Sequence, residues 1–275
     1  MNEIYQQEKE DMKTILLCAL KGIPLIQPGD EVGSIICDAA KKQNFLFHDR
    51  DIIVVASKII SKAEGQLVDV EKVEPSEKAK LLAKELRMDP KNLEVILRET
   101  KRLLIARPNL LLTESLLGFI GTKSGVDSSN TTGGPKGRIV ALLPKDPDLS
   151  AAKIRKTIKK IFGKEVAVVI NDTFGRSDRK GSIGLAIGIS GIAAVYSPDI
   201  KEDIHGKIRN PQIAQVDEIS ASASLLMGQT NERRPVIILR GLEYKTSATD
   251  GIKDLLYPAT KYIQDALDIS RQFER

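Results

Sequence analysis

Two short runs, Gly125 to Asn130 and Asn171 to Arg176, each set one carboxylate, Asp127 or Asp172, among glycine, hydroxyl and amide side chains. Hard divalent cations take oxygen ligands, and magnesium keeps waters and substrate phosphates where only one or two carboxylates bind it. The pair therefore points to a metal–nucleotide site. Asp, Ser and Asn also cap turns, so either run alone reads first as a turn. As a pair, set in the surroundings below, they favour chemistry.

The elements that must position these carboxylates can be read from pattern. Asp51 to Ala56 is a short β-branched run, a buried strand that ends at Ser57-Lys58. Pro75-Ser76 opens a helix to about Met88, and Asp89-Pro90 is an N-cap with proline at the first helical position. Leu110 to Thr113 and Arg138 to Leu142 read as strands bracketing the first acidic run, which places Asp127 on a loop between them. An amphipathic helix from about Ser150 to Phe162 stops at Gly163, a suitable left-handed residue. Glu165 to Ile170 then forms a strand that delivers Asp172 at its C-terminal end, beyond a sheet edge. The small residues of Gly181 to Gly188 permit close backbone approach. A helix from about Asp217 to Met227 ends at Gly228, Pro235 to Leu239 is the last clear strand, and Ile252 to Leu267 reads as a closing helix. Helices and strands mix without a strict βαβ period, so the expected class is α+β rather than a doubly wound sheet.

Composition narrows the function classes. The 275 residues, 41% hydrophobic and 29% charged, fit an ordinary globular protein large enough for one core or two interlocked domains. No apolar run approaches a bilayer span, and the N-terminus lacks the order of a secretory signal, so a cytoplasmic protein is expected. The net charge of +5 favours an anionic substrate. Lysines and arginines crowd residues 153–164, but they alternate with Ile154, Ile158, Ile161 and Phe162, the pattern of a solvated helix face. No aromatic residues interleave with them, which argues against nucleic acid. Cys18 and Cys37 belong to no metal-spaced pair, and His48 and His205 are too isolated for a zinc centre or a histidine-driven hydrolase. Gly121-Thr122-Lys123-Ser124 is not a P-loop, and the glycines at 184, 188 and 191 do not form a dinucleotide fingerprint. Any nucleotide must be bound another way.

Several ordered motifs carry a resemblance. They are Gly22 to Asp30, Ser57 to Gly65, the two acidic runs, Leu142 to Asp148, Leu226-Met227-Gly228 and Arg240-Gly241. From about Gly22 to Leu267 the chain resembles the coenzyme F-420-0:L-glutamate ligase family, the GTP-dependent gamma-glutamyl ligases of deazaflavin coenzyme synthesis. The resemblance implies a scaffold of its own, an intertwined homodimer with an active-site cleft. Residues 14–245 would form the ligase core, in one piece or as two interlocked subdomains. Residues 1–13 would be an N-terminal extension and 246–275 a closing helix packed on the core. It also implies that Asp127 and Asp172 hold one divalent cation, magnesium or manganese, while Thr173 and Gln229 help with a second; potassium is a further candidate. GTP would be contacted by Ile23, Pro24, Leu25, Ile26, Ser57, Lys58, Lys62 and Asn130, and by Met227, Gly228, Gln229, Thr230, Asn231, Glu232, Arg233 and Arg234. The other partners implied are L-glutamate and a deazaflavin coenzyme precursor, with neither nucleic acid nor membrane.

The chain also departs from the family pattern. Ser177-Asp178 stands where Pro-Trp is common, Ser182 replaces a usual Gln, Thr122-Lys123 replaces Ala-Asn, and His205 replaces a frequent Tyr. Thr131 to Gly137 is longer and richer in glycine than the typical loop. The metal-binding residues survive while residues that could shape the acceptor pocket differ. The leading expectation is a metal-dependent, GTP-consuming ligase that activates the acceptor carboxylate as an acyl phosphate. The alternatives are a ligase for another acceptor or amino acid, or a nucleotide- or deazaflavin-binding protein without catalysis. No residue suggests itself as the base for the incoming ammonium.

Overall fold

The computed structural model describes residues 13–108, 110–131, 138–175, 179–199 and 202–257. Its centre is a five-stranded sheet in the order β1-β10-β2-β8-β9. These strands are β1 (Leu16–Ala19), β2 (Ile52–Ala56), β8 (Ala167–Gly175), β9 (Ser182–Ser190) and β10 (Val236–Arg240). Only β2 and β8 run parallel; the other three pairings are antiparallel. Ile52 to Val55 and Ala167 to Ile170 are fully buried on both faces, which is why their sequences read as continuous apolar runs rather than alternating ones.

Helices cover both faces of this sheet. Helix α1 (Val32–Lys42) packs against α5 (Pro147–Phe162), and α5 lies on β8 and β9. Helix α6 (Gln215–Met227) crosses β9, β10 and β1. A bulge at Ile187 reverses the alternation of β9, since Ile170 faces Gly188 while Asn171 faces Ala186. Gly184 therefore meets α6, where an added Cβ would lie 2.0 Å from Ser224 Oγ, and Gly188 meets α5, 2.4 Å from Pro147 Cβ. The close approach expected of this glycine-rich strand is what lets both helices seat.

Two smaller sheets stand beside the central one. β3 (Leu67–Asp69) pairs with β7 (Ile139–Ala141), and β4 (Thr100–Arg107), β5 (Leu110–Ser115) and β6 (Ile120–Thr122) form an antiparallel sheet. A short helix α2 (Ser57–Ala63) follows β2 directly. Helices α3 (Glu77–Leu86) and α4 (Pro90–Arg98) pack on the β4–β5 hairpin through Ala83, Leu86, Leu93, Ile96 and Leu111. Among the described residues the result is a mixed α/β architecture with three sheets and one parallel pair, unlike a doubly wound sheet.

Three of the expected elements differ in extent from the sequence reading. Helix α5 starts at Pro147, a turn earlier than Ser150, because Asp146 is the N-cap and accepts from Leu149 N at 2.9 Å. β8 runs on to Gly175, so Asp172 is inside a strand rather than past its end. From Ile252 there is a single 3-10 turn that ends at Leu256, whose backbone is extended (φ −91, ψ 131), so no regular helix begins at 252. The remainder of the closing helix, residues 258–275, and residues 1–12 of the N-terminal extension lie outside the described residues, as do Ser177, Asp178 and 132–137.

Candidate active site

One end of the central sheet gathers the acidic runs. Ala19 of β1 faces Ile237, Val236 of β10 faces Val55, and Ala56 of β2 faces Asn171 of β8. Past Ala56 the chain of β2 has turned into α2, while β8 continues against β9 alone. Asp172 is the next residue, half-buried in the notch left beside β2. Its Oδ1 accepts from the buried hydroxyl of Ser57, the first residue of α2, at 2.6 Å. Ser57 thereby orients the Asp172 carboxylate.

Asp127 arrives from the other side on a rigid loop. Lys123, Ser124 and Gly125 are all left-handed (φ 56, 51 and 76), a conformation that costs non-glycine residues about 1–3 kcal/mol each. Buried Ser124 holds the turn by bonding Thr113 Oγ1 through both its N–H and its hydroxyl, at 2.8 and 2.9 Å. Asp127 then makes a two-way backbone bridge with Ala141. Ser129 closes the loop, giving its N–H to Asp127 Oδ1 at 2.7 Å and its hydroxyl to Oδ2 at 2.9 Å.

Lys58 of α2 joins the two sides. Its ammonium donates to Asp127 Oδ2 at 2.5 Å, to Ser129 Oγ at 2.6 Å and to the Ser129 carbonyl at 2.8 Å. Three N–H donors meet three oxygens, the full capacity of an ammonium. A carboxylate, a hydroxyl and a carbonyl around one positive charge are also the donor types that a hard cation takes, so this oxygen cage fits the divalent metal expected here. Among the described residues no group of three or more His, Cys, Asp or Glu side chains converges on a metal site.

The charges of the site act on one another. Partial burial works to raise the Asp127 carboxyl, but the Lys58 ammonium and the Ser129 N–H outweigh it and hold it below the ordinary 3.8. Burial pushes Asp172 up to about 6, against the pull of the Ser57 and Thr173 hydrogen bonds, and the Asp127 charge adds to the rise. Lys62, half-buried one turn beyond Lys58, is lowered by burial and by that neighbour. Any cation bound at Asp172 would have to displace its proton below about pH 6. Manganese affinity measured by titration calorimetry is therefore expected to fall about tenfold per pH unit below that value, and a flat profile between pH 5 and 7 would contradict it.

The remaining expected residues share this end of the sheet. Thr173 Oγ1 donates to Gln229 Oε1 at 3.3 Å, and Asn130 Nδ2 to the Thr230 carbonyl at 2.9 Å, tying the loop after α6 to both acidic runs. Glu232 folds back on that loop, accepting from Thr230 N at 2.8 Å in space left open by Gly228. Met227 is buried, whereas Asn231, Arg233 and Arg234 are exposed. Ile26 is buried, Ile23 half-buried, and Pro24 and Leu25 exposed; their loop is held to α2 by Gly29 N donating to the Ala63 carbonyl. No described hydrogen bond joins Lys62, Ile23 to Ile26, or Asn231 to Arg234 to the two carboxylates. Ser129 is a site residue that the motifs do not single out, although a residue two positions after an aspartate is where an Asx turn closes.

A cavity of about 490 Å³ adjoins the Asp127 loop, bounded by Met88, Asn92, Ile96, Lys123, Val126 and Ser128 among others. Another, of about 450 Å³, lies between the start of α5, β9 and residues 250–253, and neither acidic run lines it.

A family model described as F420-0:gamma-glutamyl ligase matches residues 22–241, a span that contains every element of this site. The chain belongs to the F420-0:gamma-glutamyl ligase family. Relatives within it include coenzyme F420:L-glutamate ligases of three organisms. The protein of Methanothermobacter thermautotrophicus is 36% identical over 246 residues, 89% of this chain and 96% of its own. That of Methanocaldococcus jannaschii is 39% identical over 237 residues, 86% and 91% respectively. A third, from Archaeoglobus fulgidus, is 37% identical over 224 residues, 81% and 86%. No described helix is long and apolar enough to cross a membrane.

Proposed function

We propose that this protein is a coenzyme F420:L-glutamate ligase that joins L-glutamate to the terminal carboxylate of the glutamate-free deazaflavin coenzyme, consuming GTP. The observation that carries this reading is the convergence of Asp127, Lys58, Ser57 and Asp172 at one end of the central sheet in a chain of this family. A carboxylate is a poor electrophile, so the acceptor first takes the γ-phosphoryl group of GTP as an acyl phosphate, and the glutamate amine then displaces phosphate. Bound magnesium or manganese would supply positive charge to neutralise the phosphoryl group as it moves.

Asp127 and Asp172 would hold one such ion, Thr173 and Gln229 would contribute to a second, and potassium is a further candidate. Ser57 fixes the Asp172 carboxylate, while Lys58 and Lys62 offer compact charges to phosphate oxygens. The loop of Ile23 to Ile26 and that of Met227 to Arg234 flank the same end and form the nucleotide's surroundings. Asn130 holds the second of these loops to the first acidic run. The 490 Å³ cavity beside Asp127 has the size of a small-molecule site and mixes apolar side chains, Met88, Ile96 and Val126, with Lys123, Asn92 and the Asp89–Arg138 pair, which supports it as the acceptor's place. Neither histidine serves as base: His48 precedes β2 at the opposite end of the sheet, and His205 sits on an exposed turn.

An acceptor labelled with oxygen-18 in its terminal carboxylate tests the activation step. One labelled oxygen should appear in the phosphate released with each amide formed; unlabelled phosphate would exclude the acyl phosphate. We also propose the intertwined homodimer, and light scattering is expected to report twice the 30.2 kDa chain mass. A monomer at every accessible concentration would contradict it.

A further inference from the structure

Lys58 is on a helix at one side of the site, yet all three of its acceptors belong to the loop at the other side, Asp127 and Ser129. With every N–H engaged, the ammonium has none left for a phosphate oxygen. Asp127 is similarly committed, with Oδ2 accepting from both Lys58 and the Ser129 hydroxyl and Oδ1 from the Ser129 N–H. A metal ion approaching Oδ2 meets a positive charge already bonded there. Lys62, four residues along the same helix, adds to the positive field, and the two lysines already act on each other.

We infer that Lys58 is the resident cation of the Asp127 site, and that divalent metal enters in exchange for it when nucleotide phosphate receives the freed ammonium. This rests on the reading that Asp127 binds metal and Lys58 meets GTP. Lys58 is then a positioning residue that couples two binding events. Metal alone must displace a bonded ammonium and leave it unpaired beside a divalent charge. Metal together with a triphosphate leaves every charge with a partner. Weak metal binding without nucleotide and strong mutual tightening follow, and by linkage the tightening is the same whichever ligand is added first.

The test is electron paramagnetic resonance titration of Mn²⁺ into the full-length protein, with and without a non-hydrolysable GTP analogue. The analogue should tighten Mn²⁺ binding to the wild type by about tenfold or more, a coupling of ordinary allosteric size. Lys58→Met should bind Mn²⁺ alone about tenfold tighter than the wild type, the effect of removing one competing charge, and should lose most of the response to the analogue. Lys58→Arg, which keeps the charge, should stay weak for Mn²⁺ alone. Metal affinity of Lys58→Met equal to or below that of the wild type overturns the inference. So does a wild type whose Mn²⁺ affinity ignores the analogue.

Asp127→Asn separates this from the underlying reading. If that variant loses Mn²⁺ while Lys58→Met is unchanged, the exchange alone falls; if it binds Mn²⁺ normally, the metal assignment falls too. Nitrogen-15 resonances of the wild-type lysine side chains provide a readout that needs no variant. The Lys58 ammonium signal should move when Mg²⁺ and the analogue are added together, and an unmoved signal overturns the exchange.

Discussion

Asp172→Asn is expected to lower glutamate-adding turnover by roughly 10²–10³-fold, the usual effect of removing one group that stabilises transition-state charge. The substitution keeps volume and shape, and Ser57 can donate to the amide oxygen as it does to Oδ1. What it removes is a charge placed where burial makes it unfavourable. In the metal-free fold this carboxyl is raised from 3.8 to about 6, chiefly by burial. A raised acid stabilises the fold fully below its unfolded value, and that contribution is lost as pH rises through about 6. At pH 7 the metal-free wild type therefore carries an ionised, half-buried group that the variant lacks, so the variant's urea midpoint should match or exceed that of the wild type. Lost activity with retained or increased stability is the signature of a functional carboxylate. A folded variant with near-wild-type turnover would remove Asp172 from the site.

Arg240→Ala should have the opposite profile, destabilising the chain by about 3–5 kcal/mol, the range for breaking a buried ion pair from one side. Asp51 is 1% exposed, and both its oxygens accept from Arg240, Nε to Oδ1 and Nη2 to Oδ2, each at 2.7 Å. The guanidinium also bonds the Leu46 carbonyl and lies 5.5 Å from the centre of the Phe45 ring. Without it Asp51 keeps its place at the start of β2 with its charge uncompensated. The adjoining Gly241 is left-handed at φ 94, and an added Cβ would lie 2.3 Å from the Thr14 carbonyl oxygen. Arg240-Gly241, one of the motifs behind the family resemblance, thus holds β10 and β1 in register far from the carboxylates. Urea unfolding should show a lowered midpoint, while the folded fraction keeps its Michaelis constants. A loss below about 1 kcal/mol would show that this pair behaves as a surface ion pair does.

Elements whose ends are set by local chemistry were legible in the sequence. Ser76 and Asp89 cap α3 and α4 as expected, Gly163 ends α5 with φ 67, and the apolar runs of β2 and β10 are the sheet's centre. The far half of β8 was not legible, because Asn171 to Gly175 is poor in strand formers and is held in the sheet by pairing with β9. β4 was passed over for a related reason. Its Lys101, Arg102 and Arg107 obscure an alternation that two register shifts against β5 also break. Both acidic runs were singled out from residue types alone. Their link was not, since Lys58 reaches Asp127 across 69 residues of sequence, and no periodicity or spacing encodes a contact made by tertiary packing. Ser57 shows the same limit, because its role depends on β2 ending one residue before β8 presents Asp172.

The most direct measurement is mass spectrometry of the acceptor after incubation with GTP, Mn²⁺ and L-glutamate, with GDP counted in the same sample. The wild type should add glutamate with one GDP released per amide bond. Asp127→Asn and Asp172→Asn should each add it at least about a hundredfold more slowly, and the wild type in excess EDTA should add none. Glutamate added without GTP cleavage, or at undiminished rate by both folded variants, would contradict the two-carboxylate metal site on which this account rests.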